Sequence, residues 1–380
     1  MKKSLLLISI LLLASCEDGA GVEEFVLMGL DTKAASPLGR STKLKAKNVI
    51  LFIGDGMGPN QVSLARLSIG GSEHRLSFEN FPITGIVYNH SAESLSTDSA
   101  AAATAWATGI QTINGFLSVD AERKFLPNIV ELLNTKGYLS GLVATSSITH
   151  ATPAAFYAHI HNRYKEKEIA KMLIESDISI ALGGGAKFFD FSPSNESLHV
   201  IYKKESLDNN LLSSHQRVIG LFADGGLDRK LAPPTQLKMT EIALNFLAKK
   251  SLNCKGFFLM SEGSQIDWGG HDNNVKYMLS EFVDFEHSVQ AGIDFAKENQ
   301  DTLILVTADH ATGGLILQKP IGSKIRSQWT TESHDLSPIN IYAYGPGAEL
   351  FSGVMNNTEI FDRILLALDY SNLDSKNCVN

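Results

Sequence analysis

Residues 48–56 read "NVILFIGDG", five successive apolar side chains closed by Gly-Asp-Gly. A short apolar block that stops at turn residues reads as a strand covered on both faces, the kind that parallel sheets use. Three further stretches repeat the design: "LSGLVATSSITHATP" ends near His150 and Thr152, "GFFLMSEG" near Glu262, and "TLILVTADH" at Asp309 and His310. Longer helical patterns separate them, which predicts an α/β three-layer sandwich with a central, mostly parallel sheet flanked by helices. The carboxyl ends of parallel strands share one rim, where ligands bind, so residues scattered from 55 to 310 are expected to converge. One acidic residue after a strand is usually a helix cap or turn residue. Four strands ending in candidate ligands ask for another explanation.

The chain has 380 residues, 44% apolar and 19% charged, ample for a large core. Its net charge of -8 becomes -10 once Lys2 and Lys3 are removed with the leader, which argues against a broad basic face for nucleic acid. That leader, "MKKSLLLISILLLASC", has a basic start, a short apolar run and small residues before Cys16. It reads as a lipoprotein-type signal peptide over 1–15 with Cys16 as the lipidation site, and so as an exported bacterial envelope lipoprotein, periplasm-facing or on the surface. An ordinary signal with an incidental cysteine is the plainer alternative. Residues 16–47 read as a polar tether, and 48–380 as a single folded domain with a polar, irregular surface insertion near 187–234. Only Cys254 and Cys378 remain besides Cys16, so no disulfide framework is expected. No heptad or fixed-period repeat is present, which excludes coiled coils, solenoids and propellers.

The stretch "SEGSQIDWGGHDNN", residues 261–274, adds Asp267 and His271, four apart and able to share one face of a helical turn or tight loop. The Gly269-Gly270 pair favours the loop. Carboxylate with imidazole suits zinc, whereas Glu262 beside a hydroxyl such as Thr152 suits magnesium. Asp309 with His310 offers a second mixed pair, and His334 in "TTESHDLSP" joins only as part of the larger set, since a lone polar-segment histidine is ordinarily an exposed loop residue. His287, in the helical pattern around 279–299, reads as a packing or surface residue. In "STDSAAAATAWATG", Ser99 opens an alanine-rich helix. A capping role is the plain reading, yet helix N-terminal amides also stabilise a deprotonated oxygen and an arriving phosphate. Arg163, in "YAHIHNRY", is a surface arginine on its own and a bidentate phosphate clamp in that company. "GDGMG" and "LGGG" lack the spacing of a dinucleotide loop.

Taken in order, "GDGMG", "DSAAAATA", "THATPAAFYAH" with "NR", "SEGSQIDWGGH", "VTADHATGG" and "SH" before "YAYGPG" resemble the alkaline phosphatase family, most of all its compact bacterial branch, over roughly 48–369. The resemblance implies two zinc ions and one magnesium ion per subunit. It places Asp267, His271 and His334 on the first zinc, Asp55, Asp309 and His310 on the second, and Asp55, Thr152 and Glu262 on magnesium, with His150 acting there through a water. It implies Ser99 as nucleophile in a phosphoserine mechanism, Arg163 as phosphate clamp oriented by Asp98, small phosphomonoesters as substrates, and a homodimer. Two alternatives stand beside it: a phosphodiesterase or sulfatase of the same superfamily, against which Arg163 counts, and a lipid-anchored phosphate- or metal-binding protein without turnover, against which the Asp98-Ser99 pair counts. Some members carry Asp where His150 stands and Lys where Trp268 stands. The pocket here is thus less cationic, weaker phosphate retention is expected, and the metal preference of the third site is left open.

Overall fold

The computed structural model describes residues 23–26, 38–41, 43–189, 198–208, 215–321, 324–375 and 378. Cys16 and the signal peptide lie outside them. The centre is a ten-stranded sheet in the order Gly353–Asn356, Ile83–Tyr88, Ile339–Tyr344, Thr302–Thr307, Asn48–Gly54, Gly256–Gly263, Tyr138–Ser147, Ile180–Gly184, Arg217–Leu221 and Leu198–Ile201. Only Ile339–Tyr344 runs antiparallel to its two neighbours; every other pair is parallel. The four runs read from the sequence are adjacent in the middle of this sheet and are buried along their whole length. Burial on both faces is what continuous apolar runs require, and helices supply the cover. Gln236–Lys250 and Val275–Glu298 pack on each other and on the central strands, while Ser99–Thr108, Ile129–Asn134, Ala151–Ala154 and Glu359–Ala367 form a second group.

Three expectations need correction. Residues 187–234 are not merely an irregular surface insertion: Leu198–Ile201 and Arg217–Leu221 extend the central sheet at one edge, with Val218, Ile219 and Leu221 in the core. Each is a short strand inside a segment otherwise rich in polar and turn residues. Within the segment read as a tether, Glu23–Val26 pairs antiparallel with Lys324–Gln328, and Ala46 N–H donates to the Ala367 carbonyl, so ordered structure begins before Asn48. Cys254 and Cys378, in a chain where no disulfide framework was expected, form a disulfide with a Cα–Cα distance of 5.0 Å that ties the chain's end to the loop after Gln236–Lys250. Among the described residues no helix is long and apolar enough to cross a membrane.

The long helix Val275–Glu298 carries one costly group. Glu286 accepts a hydrogen bond from Ser77 N–H at 2.6 Å, but its Oε2 is enclosed without a partner. Burial pushes this carboxyl up to about 7. A carboxyl raised in the fold contributes stability that is complete below its unfolded pKa and is lost as pH rises through the folded value. We therefore expect Glu286→Gln to leave the unfolding free energy nearly unchanged at pH 4.5 and to raise it by about 2–3 kcal/mol at pH 8. Denaturant unfolding at both pH values checks this, and equal effects at the two would refute it.

Candidate metal-dependent active site

Asp55 follows the strand Asn48–Gly54 directly, and its neighbour Gly56 shows why a glycine stands there. Gly56 has φ +70, and a Cβ on it would lie 2.8 Å from Asp267 Cα and 2.8 Å from Thr312 Oγ1. A side chain would push this turn away from Asp267 and Thr312. Asp309 and His310 follow the neighbouring strand Thr302–Thr307, and Gly56 N–H donates to Asp309 at 3.0 Å. Glu262 sits near the end of Gly256–Gly263 on the other side. The carboxyl ends therefore meet at one rim, as the parallel arrangement demands.

Asp267 and His271 lie on a short helix, Gln265–His271, rather than in the loop expected from Gly269-Gly270. Those glycines serve packing: a Cβ on Gly269 would come within 2.5 Å of Met278 N, and one on Gly270 within 3.0 Å of Thr312. The helical spacing places His271 Nε2 at 3.3 Å from Asp267 Oδ2. His334, on a two-residue strand paired with Ala311–Thr312, brings its Nε2 to 3.7 Å from Asp267 and 3.2 Å from His271 Nε2.

Ser99 occupies the first turn of Ser99–Thr108, but the cap is Asp98, which accepts from Ala101 N–H at 2.9 Å. Ser99 is released from capping. Its buried Oγ lies 3.5 Å from Asp55 Oδ2 and 3.4 Å from His310 Nε2. Asp98 also accepts from Arg163 Nη1 at 2.9 Å, so one carboxylate fixes both the start of the nucleophile-bearing helix and the guanidinium. Arg163 Nη2 is 3.2 Å from His150 Nε2, and the His150 ring meets the Trp268 ring edge-on at 6.1 Å. Thr152 lies on the short helix Ala151–Ala154 with its hydroxyl buried and unpartnered.

The ligand atoms form three clusters, each within 4.8 Å: Asp267, His271 and His334; Asp55, Asp309 and His310; and Asp55, Glu262 and His150. All the residues singled out from the sequence lie in or beside them, except Cys16, which lies outside the described residues. The third cluster includes a nitrogen of His150, the residue expected to act there through a water. Sequence reading passed over Thr312, whose hydroxyl donates to Asp267 at 2.5 Å, and Ser264, whose hydroxyl donates to Glu262 at 2.7 Å. Both sit inside the quoted motifs, but a lone hydroxyl has no spacing that marks it.

The electrostatics call for cations. Asp55, Glu262, Asp267 and Asp309 are all buried, each at most 5% exposed. Burial, then Asp309, Asp267 and Glu262, raise the Asp55 carboxyl well above its usual range, and burial pushes Glu262 up to about 7. Burial also pushes His150 down to about 3, with Arg163 adding to it, and His334 down to about 4, with His310 adding to it. Neutral imidazoles expose lone pairs. Asp55 Oδ1, Glu262 Oε1, Asp309 Oδ2, Thr152 Oγ1 and His150 Nδ1 are buried without a hydrogen-bond partner. Unpaired buried acceptors are costly unless something positive meets them, so this donor set fits divalent metal ions.

Trp268 also walls a cavity of about 640 Å³ that extends to Tyr277 and Glu281. On its other side Trp268 meets His150, which contacts Arg163, so adding a cation there by Trp268→Lys should tighten competitive inhibition by inorganic phosphate about tenfold, the effect of one charge-assisted contact. Equal inhibition constants would show that Trp268 does not limit phosphate retention.

A family model described as alkaline phosphatase matches residues 46–197 and 192–325. Alkaline phosphatase 3 of Bacillus subtilis (strain 168) is 33% identical, covering 86% of this chain and 89% of its own. The solved alkaline phosphatase of the Antarctic bacterium TAB5 superposes with a TM-score of 0.79 at 36% identity, covering 86% of this chain and 99% of that one. A variant of the TAB5 enzyme with a histidine-to-aspartate substitution and Mg bound in its M3 site superposes at 0.78 and 34% identity, with the same coverage.

Proposed function

The chain belongs to the alkaline phosphatase family, and from that premise we infer how its buried cluster hydrolyses phosphate monoesters to alcohol and inorganic phosphate. It is a metal-binding phosphoric monoester hydrolase. The observation that carries the mechanism is the meeting of Ser99, at a helix N-terminus, with four buried carboxylates and the Asp98-held Arg163.

Two zinc ions and one magnesium ion are the proposed metals. Asp267, His271 and His334 would hold the first zinc, Asp55, Asp309 and His310 the second, and Asp55, Thr152 and Glu262 the magnesium. His150, by its place in the third cluster, would serve as a direct ligand there if a transition metal takes that site. Bound cations supply positive charge against the charge that builds on the transferring phosphoryl group.

The chain's own groups account for the rest. Arg163, its charge held by the Asp98 carboxylate, takes two oxygens of the phosphate. The helix amides around Ser99 favour its deprotonated oxygen. Ser99 Oγ bonds to phosphorus as the bond to the alcohol oxygen breaks; the electron pair leaves with that oxygen, which takes up a proton. Water then attacks the phosphoserine, the bond from phosphorus to Ser99 Oγ breaks, and the serine recovers its proton. The expected selectivity is for dianionic monoesters, because the Arg163 cation meets a phosphoryl group with three terminal oxygens and two negative charges, where a diester has two such oxygens and one charge. Activity on mono- against bis-para-nitrophenyl phosphate tests this. We expect a ratio above about 100, the worth of one well-placed charged hydrogen-bonding group, and a ratio near or below one would move the assignment to a diesterase.

The proposal also places the chain in the bacterial envelope, anchored through Cys16 and working as a homodimer. Support comes from the leader sequence and from Ile86, Tyr88 and Val354, exposed on neighbouring strands at the sheet edge where a second copy could pack. A lipid-modified N-terminal peptide in mass spectra and the mass in solution decide these two points.

A further inference from the structure

Three imidazoles face the first two clusters, and each turns Nδ1 away toward an oxygen. For His271 that oxygen is the Glu332 carbonyl at 2.6 Å, and for His334 the Thr97 carbonyl at 2.9 Å. A carbonyl only accepts, so both rings keep their proton on Nδ1 and present Nε2 to the cluster. His310 is different, because its Nδ1 lies 3.2 Å from the hydroxyl of Thr312, a group able to donate or accept.

The hydroxyl's other partner settles the direction. Thr312 Oγ1 is 2.5 Å from Asp267 Oδ1, and an ionised carboxylate only accepts. Thr312 has one proton and gives it to Asp267. Its oxygen is then left to accept from His310 Nδ1–H, and His310 Nε2 points to Asp309 at 3.1 Å, Ser99 at 3.4 Å and Asp55 at 3.6 Å. The side chain has little freedom to do otherwise. Thr312 is fully buried, pairs in register with His334, and accepts at its carbonyl from Gln61 Nε2 at 2.6 Å.

We propose that Thr312 is a positioning residue that holds the proton of His310 on Nδ1, and that its single hydroxyl thereby ties the Asp267 cluster to the His310 cluster. Of the three imidazoles, His310 is the one whose orientation depends on a replaceable side chain rather than on the backbone. The proposal rests on the metal-site reading above, and its tests need no substrate. A chain that binds zinc as described here but turns over no ester would sink the phosphatase reading and leave this one standing.

The experiment adds zinc to the chelated full chain and compares wild type with Thr312→Val, which keeps the shape without the hydroxyl, and Thr312→Ser, which keeps the hydroxyl. Loss of such an outer partner weakens metal binding by about 10- to 100-fold; that is the expected result for valine, with serine within about threefold of wild type. Valine binding zinc like wild type, or serine falling as far as valine, overturns the proposal. Should valine impair folding, the wild type alone decides: in zinc-loaded protein labelled with ¹⁵N-histidine, the His310 ring proton is expected on Nδ1. A proton on Nε2 contradicts the proposal without reference to any variant.

Discussion

Ser99→Ala is expected to lower phosphate release from para-nitrophenyl phosphate by about 10³-fold or more, with zinc content and folding close to wild type. The loss is large because the substitution deletes the atom that bonds to phosphorus, leaving only attack by water in a site that still binds and polarises the ester. Folding survives for a local reason. The helix Ser99–Thr108 is capped by Asp98 and not by Ser99, and alanine is the best helix former at the vacated position. Rapid-quench analysis supplies the companion readout: phosphate bound covalently to wild type and absent from the variant. A variant retaining most of the wild-type rate would remove Ser99 from the chemistry.

The second large effect belongs to Asp55, the one carboxylate shared by two of the three clusters. Asp55→Asn should weaken cation binding at both and reduce turnover by about 10³-fold. Its effect on stability should change sign with metal. Burial and the neighbouring Asp309, Asp267 and Glu262 resist the Asp55 charge, so ionising it in the metal-free fold costs stability as pH rises. Asparagine removes that cost. At pH 8 the chelated variant should unfold at a temperature equal to or above that of chelated wild type, whereas with excess zinc the wild type should be the more stable, since a ligand that binds only the fold stabilises it. The same order under both conditions would mean that Asp55 is not held against its neighbours for the sake of a cation.

Much of this site was legible because one geometric rule did most of the placement. Four apolar runs, each ending in a candidate ligand, become four adjacent parallel strands, and their ends must lie on one rim. What escaped the sequence escaped for identifiable reasons. Gly269-Gly270 argues locally for a loop, yet the glycines are there so that Gln265–His271 can lie against Met278 and Thr312, a tertiary demand that overrides propensity. Arg217–Leu221 is a strand only five residues long, opened by a charged residue and preceded by the polar run Ser213-Ser214-His215-Gln216. Cys254 and Cys378 stand 124 residues apart, and nothing in that spacing indicates that they meet. Thr312 shows the same limit: its role comes from two partners, Asp267 and His310, that only the fold brings to one hydroxyl.

Metal-dependent ester hydrolysis is tested most directly by phosphate release from para-nitrophenyl phosphate by the chain lacking residues 1–16, followed as bound metal is chelated away and zinc and magnesium are then restored. A metal-dependent phosphomonoesterase gives turnover that is lost with chelation and returns with the metals. Turnover indifferent to chelation, or none from the fully metal-restored protein, would contradict that assignment.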